Sequence, residues 1–483
     1  MRCMSWVVWV AAILIFLPGL ASAQNAAAAK PNVLFIAVDD LNHWVGHLQR
    51  NKQTKTPNID RLAGMGVTFT RANCAAPVCN PSRTALMSGM RPSTTGVYDN
   101  GQNFAPVIPE AQTLTSQFLN AGYNVYGAGK IYHSSVHRPG EWTDYSTERK
   151  GKLEQHPSAK DDGVGGIKFS PLANGDEAMP DYETATYGLE KLAAKHDKPF
   201  FLAIGFHKPH MPFSVPKKYF DMFPLEGIEL PPYREDDLKD VPPAGLKMGK
   251  AEGDHAAILA SGRWKEAVQA YLASIAFLDG QVGRLLDGLE KSAYKNNTIV
   301  CFWGDHGWHL GEKHHWRKFA LWEEAARAPF IWVAPGVTKA GGVCERPVDF
   351  MSIFPTLCDL SGIPTPSHAE GPSLRPLLAD PKAKWDRLAL TTFHKDNHSL
   401  RSESWRYIRY ANGDEELYNH DTDPYEWTNV AQDPKFASVK AEMAKSLPKV
   451  NRDELPRNQG GTEGESAKKE KNKNKNKNKN KSE

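Results

Sequence analysis

The chain has 483 residues, with 59 Lys and Arg against 56 Asp and Glu and a formal net charge of +3. Eight lysines against two glutamates from Ala467 onward supply about +6 of that by side-chain counting, which leaves the rest of the chain near −3. The basicity therefore belongs to the tail, no nucleic-acid partner is expected, and six cysteines in such a length make no disulfide framework.

In chain order, Arg2 opens a short positive start, 6–20 is almost unbroken apolar sequence, and Ala21-Ser22-Ala23 is a small-x-small cleavage site. The run is short for a membrane span, so 1–23 reads as a signal peptide removed on export, not as a stable membrane anchor. The expected location is the periplasm or the exterior. Between this leader and the tail lie roughly 440 residues, enough for one large domain and a small one.

Residues 32–38 are almost wholly apolar, of strand length, and lead into Asp39-Asp40. A run buried on both faces suits the centre of a mostly parallel sheet. A helix is predicted over 58–66, with Thr56-Pro57 as cap and first-turn pair. Further strands are predicted at 124–128, leading into Gly129-Lys130, at 200–205, leading into 206–210, and at 297–303, leading into Gly304-Asp305-His306-Gly307. Cys301 in the last of these reads as a buried thiol. Residues 221–250 read as a long surface connection. Val268, Leu272, Ile275, Val282, Leu285 and Leu289 share one helical face. The alternation predicts an α/β fold with a large central mixed sheet flanked by helices. Ligands bind such sheets beyond the strands' carboxyl ends, where each polar cluster follows its strand. After 387 the character changes, and the alternation at 405–410 suits an antiparallel sheet. The predicted organisation is a catalytic body at 31–387, a small C-terminal subdomain at 388–455 and a disordered Lys/Asn-rich tail at 456–483.

Adjacent carboxylates at Asp39-Asp40 repel unless a cation lies between them. Asp305-His306 ends a second strand, and hard oxygen ligands favour calcium, with magnesium as the alternative. Cys79-Asn80-Pro81-Ser82-Arg83, followed by 84–89 and Arg91-Pro92, resembles the extended C-x-P-S-R signature of type I sulfatases. Gly129-Lys130-Ile131-Tyr132-His133 resembles that family's G-K-x-x-H. Residues 207–213, Met179-Pro180-Asp181 and Asp305-His306-Gly307-Trp308 resemble its iduronate-2-sulfatase branch. The resemblance spans roughly 31–430 and implies an alkaline-phosphatase-like sandwich.

The resemblance also implies a mechanism. Cys79 is oxidised to formylglycine by a formylglycine-generating enzyme, and its hydrate attacks the sulfur of a sulfated saccharide. Asp39, Asp40, Cys79, Asp305 and His306 surround the metal. Arg83 holds the diol, Lys130 and Lys318 meet the sulfate oxygens, His210 is the acid for the leaving sugar, and His133 is the base that expels sulfate. The implied substrate is a 2-O-sulfated uronic acid or a related polysaccharide unit. His309, His314, His315 and Arg317 are read as positive charge for a carboxylate or a neighbouring sulfate, with a polar rim that touches no substrate as the alternative. Two competing functions are a phosphodiesterase or phosphonate hydrolase of the same superfamily, and a non-catalytic binder of sulfated glycans.

Overall fold

A computed structural model describes residues 30–133, 138–147 and 152–457. The expected signal peptide and all but 456–457 of the tail lie outside these. Eight strands form the main sheet: β1 (Asn32–Val38), β2 (Val67–Phe69), β3 (Asn124–Gly129), β4 (Asp144–Ser146), β5 (Phe200–Phe206), β6 (Thr298–Gly304), β7 (Phe330–Val333) and β8 (Gly342–Cys344). Their spatial order is β8-β2-β7-β6-β1-β5-β3-β4. All pairs are parallel except those of β7, which runs against both its neighbours, so the sheet is mixed as predicted.

β1, β5 and β6 are buried along their whole length, which is why they read as continuous apolar runs. The flanking helices are α1 (Pro57–Met65), α2 (Cys79–Ser88), α3 (Pro180–Ala193), α4 (Trp264–Lys291) and α5 (Ile353–Leu360). Leu34, Ile36 and Val38 share one core with Ile59, Leu62, Ala185, Val268 and Leu272, from α1, α3 and α4. Val33, Phe35 and Ala37 share the other with Leu86, Met87, Phe354 and Leu357, from α2 and α5. The period-two alternation of a single strand thus feeds both layers of the sandwich.

The cap of α1 differs from expectation. Thr56 makes no side-chain cap, because its hydroxyl accepts from Gly46 N at 2.8 Å. Asp279 of α4 takes the role, accepting from Asn58 N at 3.0 Å and Ile59 N at 2.8 Å. The 221–250 connection is more embedded than its composition indicates, with a helix at Pro243–Gly249 and buried Val241 and Asp237.

Four strands, β9 (Ala389–Thr392), β10 (His398–Arg401), β11 (Trp405–Arg409) and β12 (Glu415–Asn419), form an antiparallel sheet in sequence order. One face packs Leu400, Tyr407 and Leu417 on Met443, while the other packs Ile408 and Tyr418 on Val78 and Trp322 of the main body. All five cysteines among the described residues are buried and free, Cys301 included. No described helix is long and apolar enough to cross a membrane.

Candidate active site

Register places the site. Val38 pairs with Phe206 on one side and Gly304 on the other, and Gly129 pairs with Gly205. Four strands therefore end level, and Asp39, Asp305, Lys130 and the turn after Phe206 leave from one edge. The ends are tied together: Asp39 N donates to Phe206 O at 3.1 Å, and Asp305 N to Val38 O at 2.9 Å. Lys130 N donates to Gly205 O at 2.8 Å, an approach that needs glycine, since a Cβ at Gly205 would collide with the Lys130 backbone.

Asp40 turns into the left-handed region at φ 56°, which Asp tolerates better than most residues. Asp40 N donates to Asp305 Oδ1 at 3.0 Å, and Tyr271 of α4 donates to Asp40 O at 2.8 Å, so the turn is pinned from both sides. α2 then delivers the signature. Cys79 is its first residue, and every residue of the helix is buried. Ser82 Oγ donates to Asp305 O at 2.6 Å. The guanidinium of Arg83 reaches Asp305 Oδ2 at 2.8 Å and Asp39 Oδ1 at 3.5 Å and donates to the carbonyls of Lys130 and Ile131.

Around Cys79 Sγ lie Lys318 Nζ at 2.9 Å, His306 Nε2 at 3.3 Å and Asp40 Oδ1 at 3.8 Å. Lys318 also reaches Asp40 Oδ1 at 2.7 Å, and Lys130 reaches Asp39 Oδ2 at 2.5 Å. His210 Nδ1 stands 3.0 Å from Asp39 Oδ2 and 2.7 Å from Asp40 Oδ2, with its side chain a third exposed at the mouth. His133 is half-buried, three residues beyond Lys130 on the same turn. The predicted residues Asp39, Asp40, Cys79, Arg83, Lys130, His210, Asp305, His306 and Lys318 are thus brought to one point.

Electrostatics follow from three buried carboxylates beside five basic groups, Arg83, Lys130, His210, His306 and Lys318. Burial alone would raise Asp39, but Lys130, then His210 and Arg83, hold its carboxyl well below the usual range. Burial would likewise raise Asp40, and His210 and Lys318 outweigh it. His306 is pushed up to about 9, because Asp305 and Cys79 overcome the burial that would lower it. The ligating atoms of Asp39, Asp40, Cys79 and His210 lie within 4.8 Å of one another, as do those of Asp39, Cys79, Asp305 and His306. Oxygen-rich donors this close suit one hard divalent cation.

The basic residues at 309–317 do not form the substrate-facing charge envisaged. His309 is fully buried and pushed down to about 3 by burial, then by His315. His315 is buried as well, with its ring nitrogens on Gly249 O and on Lys318 O at 2.6 Å. His314 stacks on Tyr233 with its Nε2 on Arg234 O at 2.8 Å, and Arg317 pairs with Asp254 at 2.6 Å. These residues shape the segment around Lys318: Lys313, His314, Arg317 and Phe319 all have positive φ. Non-glycine residues in that region cost about 1–3 kcal/mol each, and such strain gathers where a side chain must be aimed.

Sequence reasoning missed three supports. Ser82 was only a letter of the signature, although its motif position was the available signal. Asp181 was noted as a branch marker, whereas it accepts from the amides of His207 and Lys208, each at 2.8 Å. Lys208 donates to the carbonyls of His210 at 3.2 Å and Pro212 at 2.5 Å.

A sheet edge with paired carboxylates, a helix-borne cysteine and converging lysines defines an alkaline-phosphatase-like hydrolase, and comparison with known proteins narrows the class. A family model described as Sulfatase matches residues 31–363, and one described as N-sulphoglucosamine sulphohydrolase, C-terminal, matches 311–453. The chain belongs to the sulfatase family. A sulfatase of Formosa agariphila is 40% identical over 448 residues, 87% of each chain. Human iduronate 2-sulfatase is 31% identical over 408 residues, 74% of this chain and 73% of its own. The solved phosphonate monoester hydrolase of Agrobacterium radiobacter shares the fold, with a TM-score of 0.71 at 24% identity over 86% of this chain and 94% of its own. The protein is therefore a type I sulfatase, a sulfuric ester hydrolase, close to the iduronate-2-sulfatase branch.

Proposed function

We propose that this chain is an exported hydrolase of sulfated sugars that removes 2-O-sulfate from a uronic acid unit during polysaccharide degradation. The observation that carries the chemistry is the placement of Cys79 Sγ 2.9 Å from Lys318 Nζ and 3.3 Å from His306 Nε2, at the buried start of a helix. Likeness to iduronate 2-sulfatase supports the uronic acid. The phosphonate hydrolase likeness is one of fold, and the competing activities gain no residue-level support from it. The catalytic body is taken as 31–387 and the C-terminal subdomain as 388–455.

Cys79 is read as the precursor of formylglycine, made by a formylglycine-generating enzyme, and the hydrated aldehyde supplies the attacking oxygen. Asp39, Asp40, Asp305 and His306, with residue 79, would hold calcium, or magnesium in its place. When bound, the ion supplies dicationic charge that acidifies a neighbouring hydroxyl and offsets the charge of sulfate. Lys130 and Lys318, both buried, bind sulfate oxygens where water is scarce and their charge acts strongly. Arg83 holds Asp39 and Asp305 in place. His210, partly open to solvent, hands a proton to the departing sugar oxygen. His133 takes up the proton released when the site resets.

Sulfate release from a 2-O-sulfated uronate disaccharide, compared with its 6-O-sulfated isomer and a phosphonate monoester, tests the reading. Turnover confined to the 2-O-sulfate supports it, and preference for the phosphonate ester overturns it. Chelation by EDTA should abolish that turnover and calcium should restore it; full activity in EDTA would remove the metal from the account. Mass spectrometry of the tryptic peptide spanning Cys79 tests the aldehyde, since replacing CH₂SH by CHO lowers the mass by about 18 Da, the change that nucleophile activation needs.

A further inference from the structure

Separate from the residues around Cys79, a cleft of about 240 Å³ opens between the ends of β2 and β8 and those of β10 and β12. Arg71, Arg327 and Arg401 line it, and Arg327 and Arg401 share one buried carboxylate, Glu323. That carboxylate is already engaged. The fully buried Arg406 donates to Glu323 and holds Glu426 at 2.6 Å. The same guanidinium supplies the positive charge for the potential ligand group Glu323, His420 and Glu426, so no metal is needed there.

Of the other guanidiniums, Arg401 Nη1 donates to the carbonyls of Ser402 and Glu403 and Arg71 Nη1 to that of Glu345, but no carboxylate is held closely. Arg327 Nη1 and Arg401 Nε each stand 3.5 Å from a Glu323 oxygen. Among the described residues, the Nε of neither arginine finds a hydrogen-bond acceptor. Arg401 is only 4% exposed, so water does not make good the deficit at low cost. Burial pushes Arg401 down to about 10, an effect the shared Glu323 does not offset, and Arg327 is lowered for the same reason. Other carboxylates of the cleft stand at its rim. Glu345 is 69% exposed and 3.5 Å from Arg71, Glu403 is taken up by Arg346, and Asp421 is exposed. Arg50, on the far wall, is matched by Glu324.

We propose that this cleft binds an oxyanion, a sulfate or carboxylate group, at a second site apart from the catalytic centre. The planar guanidiniums that line the cleft offer N–H donors of the kind such groups accept. Inorganic sulfate and the same group carried on a saccharide share this chemistry. The proposal is independent of oxidation at Cys79.

Crystals of the full chain soaked in sodium selenate should show an anomalous peak among Arg71, Arg327 and Arg401. In solution, calorimetry at constant ionic strength would titrate Cys79→Ala protein with sodium sulfate and with a 2-O-sulfated disaccharide. Two anion sites are expected. Arg71→Gln or Arg401→Gln should weaken one by at least about tenfold, the scale of one charge-assisted hydrogen bond. Either variant, made without the Cys79 change, should leave sulfate inhibition of turnover unaltered. The probe bound more tightly at the Arg71-sensitive site identifies the source of the anion. Selenate confined to the catalytic pocket, or two unchanged affinities in Arg71→Gln protein, would overturn the proposal. Arg71 is a quarter exposed, so that variant keeps the test decisive where Arg401→Gln fails to fold.

Discussion

Cys79→Ala removes the one atom that Lys318, His306 and Asp40 all approach. Sulfate release should fall by at least about 10⁴-fold, the scale on which an isolated nucleophile deletion acts, while the melting temperature stays close to wild type. Wild-type turnover would sink the assignment of residue 79. Arg83→Lys is a subtler probe. One ammonium cannot reach Asp305, Asp39 and the carbonyls of Lys130 and Ile131 together. Breaking such a buried network costs roughly 3–5 kcal/mol, so both stability and kcat should drop; an unchanged melting curve would contradict the geometry. Asp39, Asp40, Lys130 and Asp305 were legible because each follows an apolar run, whereas Lys318 came from the family resemblance alone. The basic residues at 309–317 were left with two readings, substrate-facing charge or a polar rim, because spacing cannot tell which side of a turn faces a pocket. Positive φ at Lys313, His314, Arg317 and Phe319 leaves no mark in composition.

At the scale of elements, β1, β5 and β6 were legible from unbroken burial, and α4 from its periodic face. The cap of α1 was not, since Asp279 arrives from 221 residues away along the chain. Asp181 makes a similar long reach. Near the start of α3 it grips two successive amides of the turn that carries His210. Asp181→Asn turns one acceptor oxygen into a donor facing an amide, so the turn should loosen. We expect kcat to fall by about tenfold with a smaller change in KM, one buried hydrogen bond's worth. Stopped or steady-state kinetics will read it, and a KM effect alone would place Asp181 outside the control of His210.

For the molecule as a whole, pH sets a limit through buried histidines outside the cluster around Cys79. Burial pushes His255 down to about 4, as do His314 and His315 to a lesser degree, and burial pushes His309 to about 3 and His398 to about 4. The folded state thus refuses protons that the unfolded chain accepts near pH 6.5, and stability present above that pH is lost as it falls toward 4. His398 alone accounts for a loss on the order of 3 kcal/mol by pH 4. Melting temperature measured from pH 7 to pH 4 should fall steadily, and a flat profile between 6.5 and 4.5 would refute the argument.

The burial of α2 on every side also sets an order of events. On the proposed reading a second enzyme would have to reach Cys79, which the finished protein buries with its whole helix. Oxidation of Cys79 would then have to come before the chain has folded, in competition with the folding that ends the opportunity. A molecule that folded first would be stranded as a stable thiol form, and only unfolding would give it a second chance. Preparations of identical sequence could then differ in specific activity according to how fast they were made, with no difference in their melting curves to betray it.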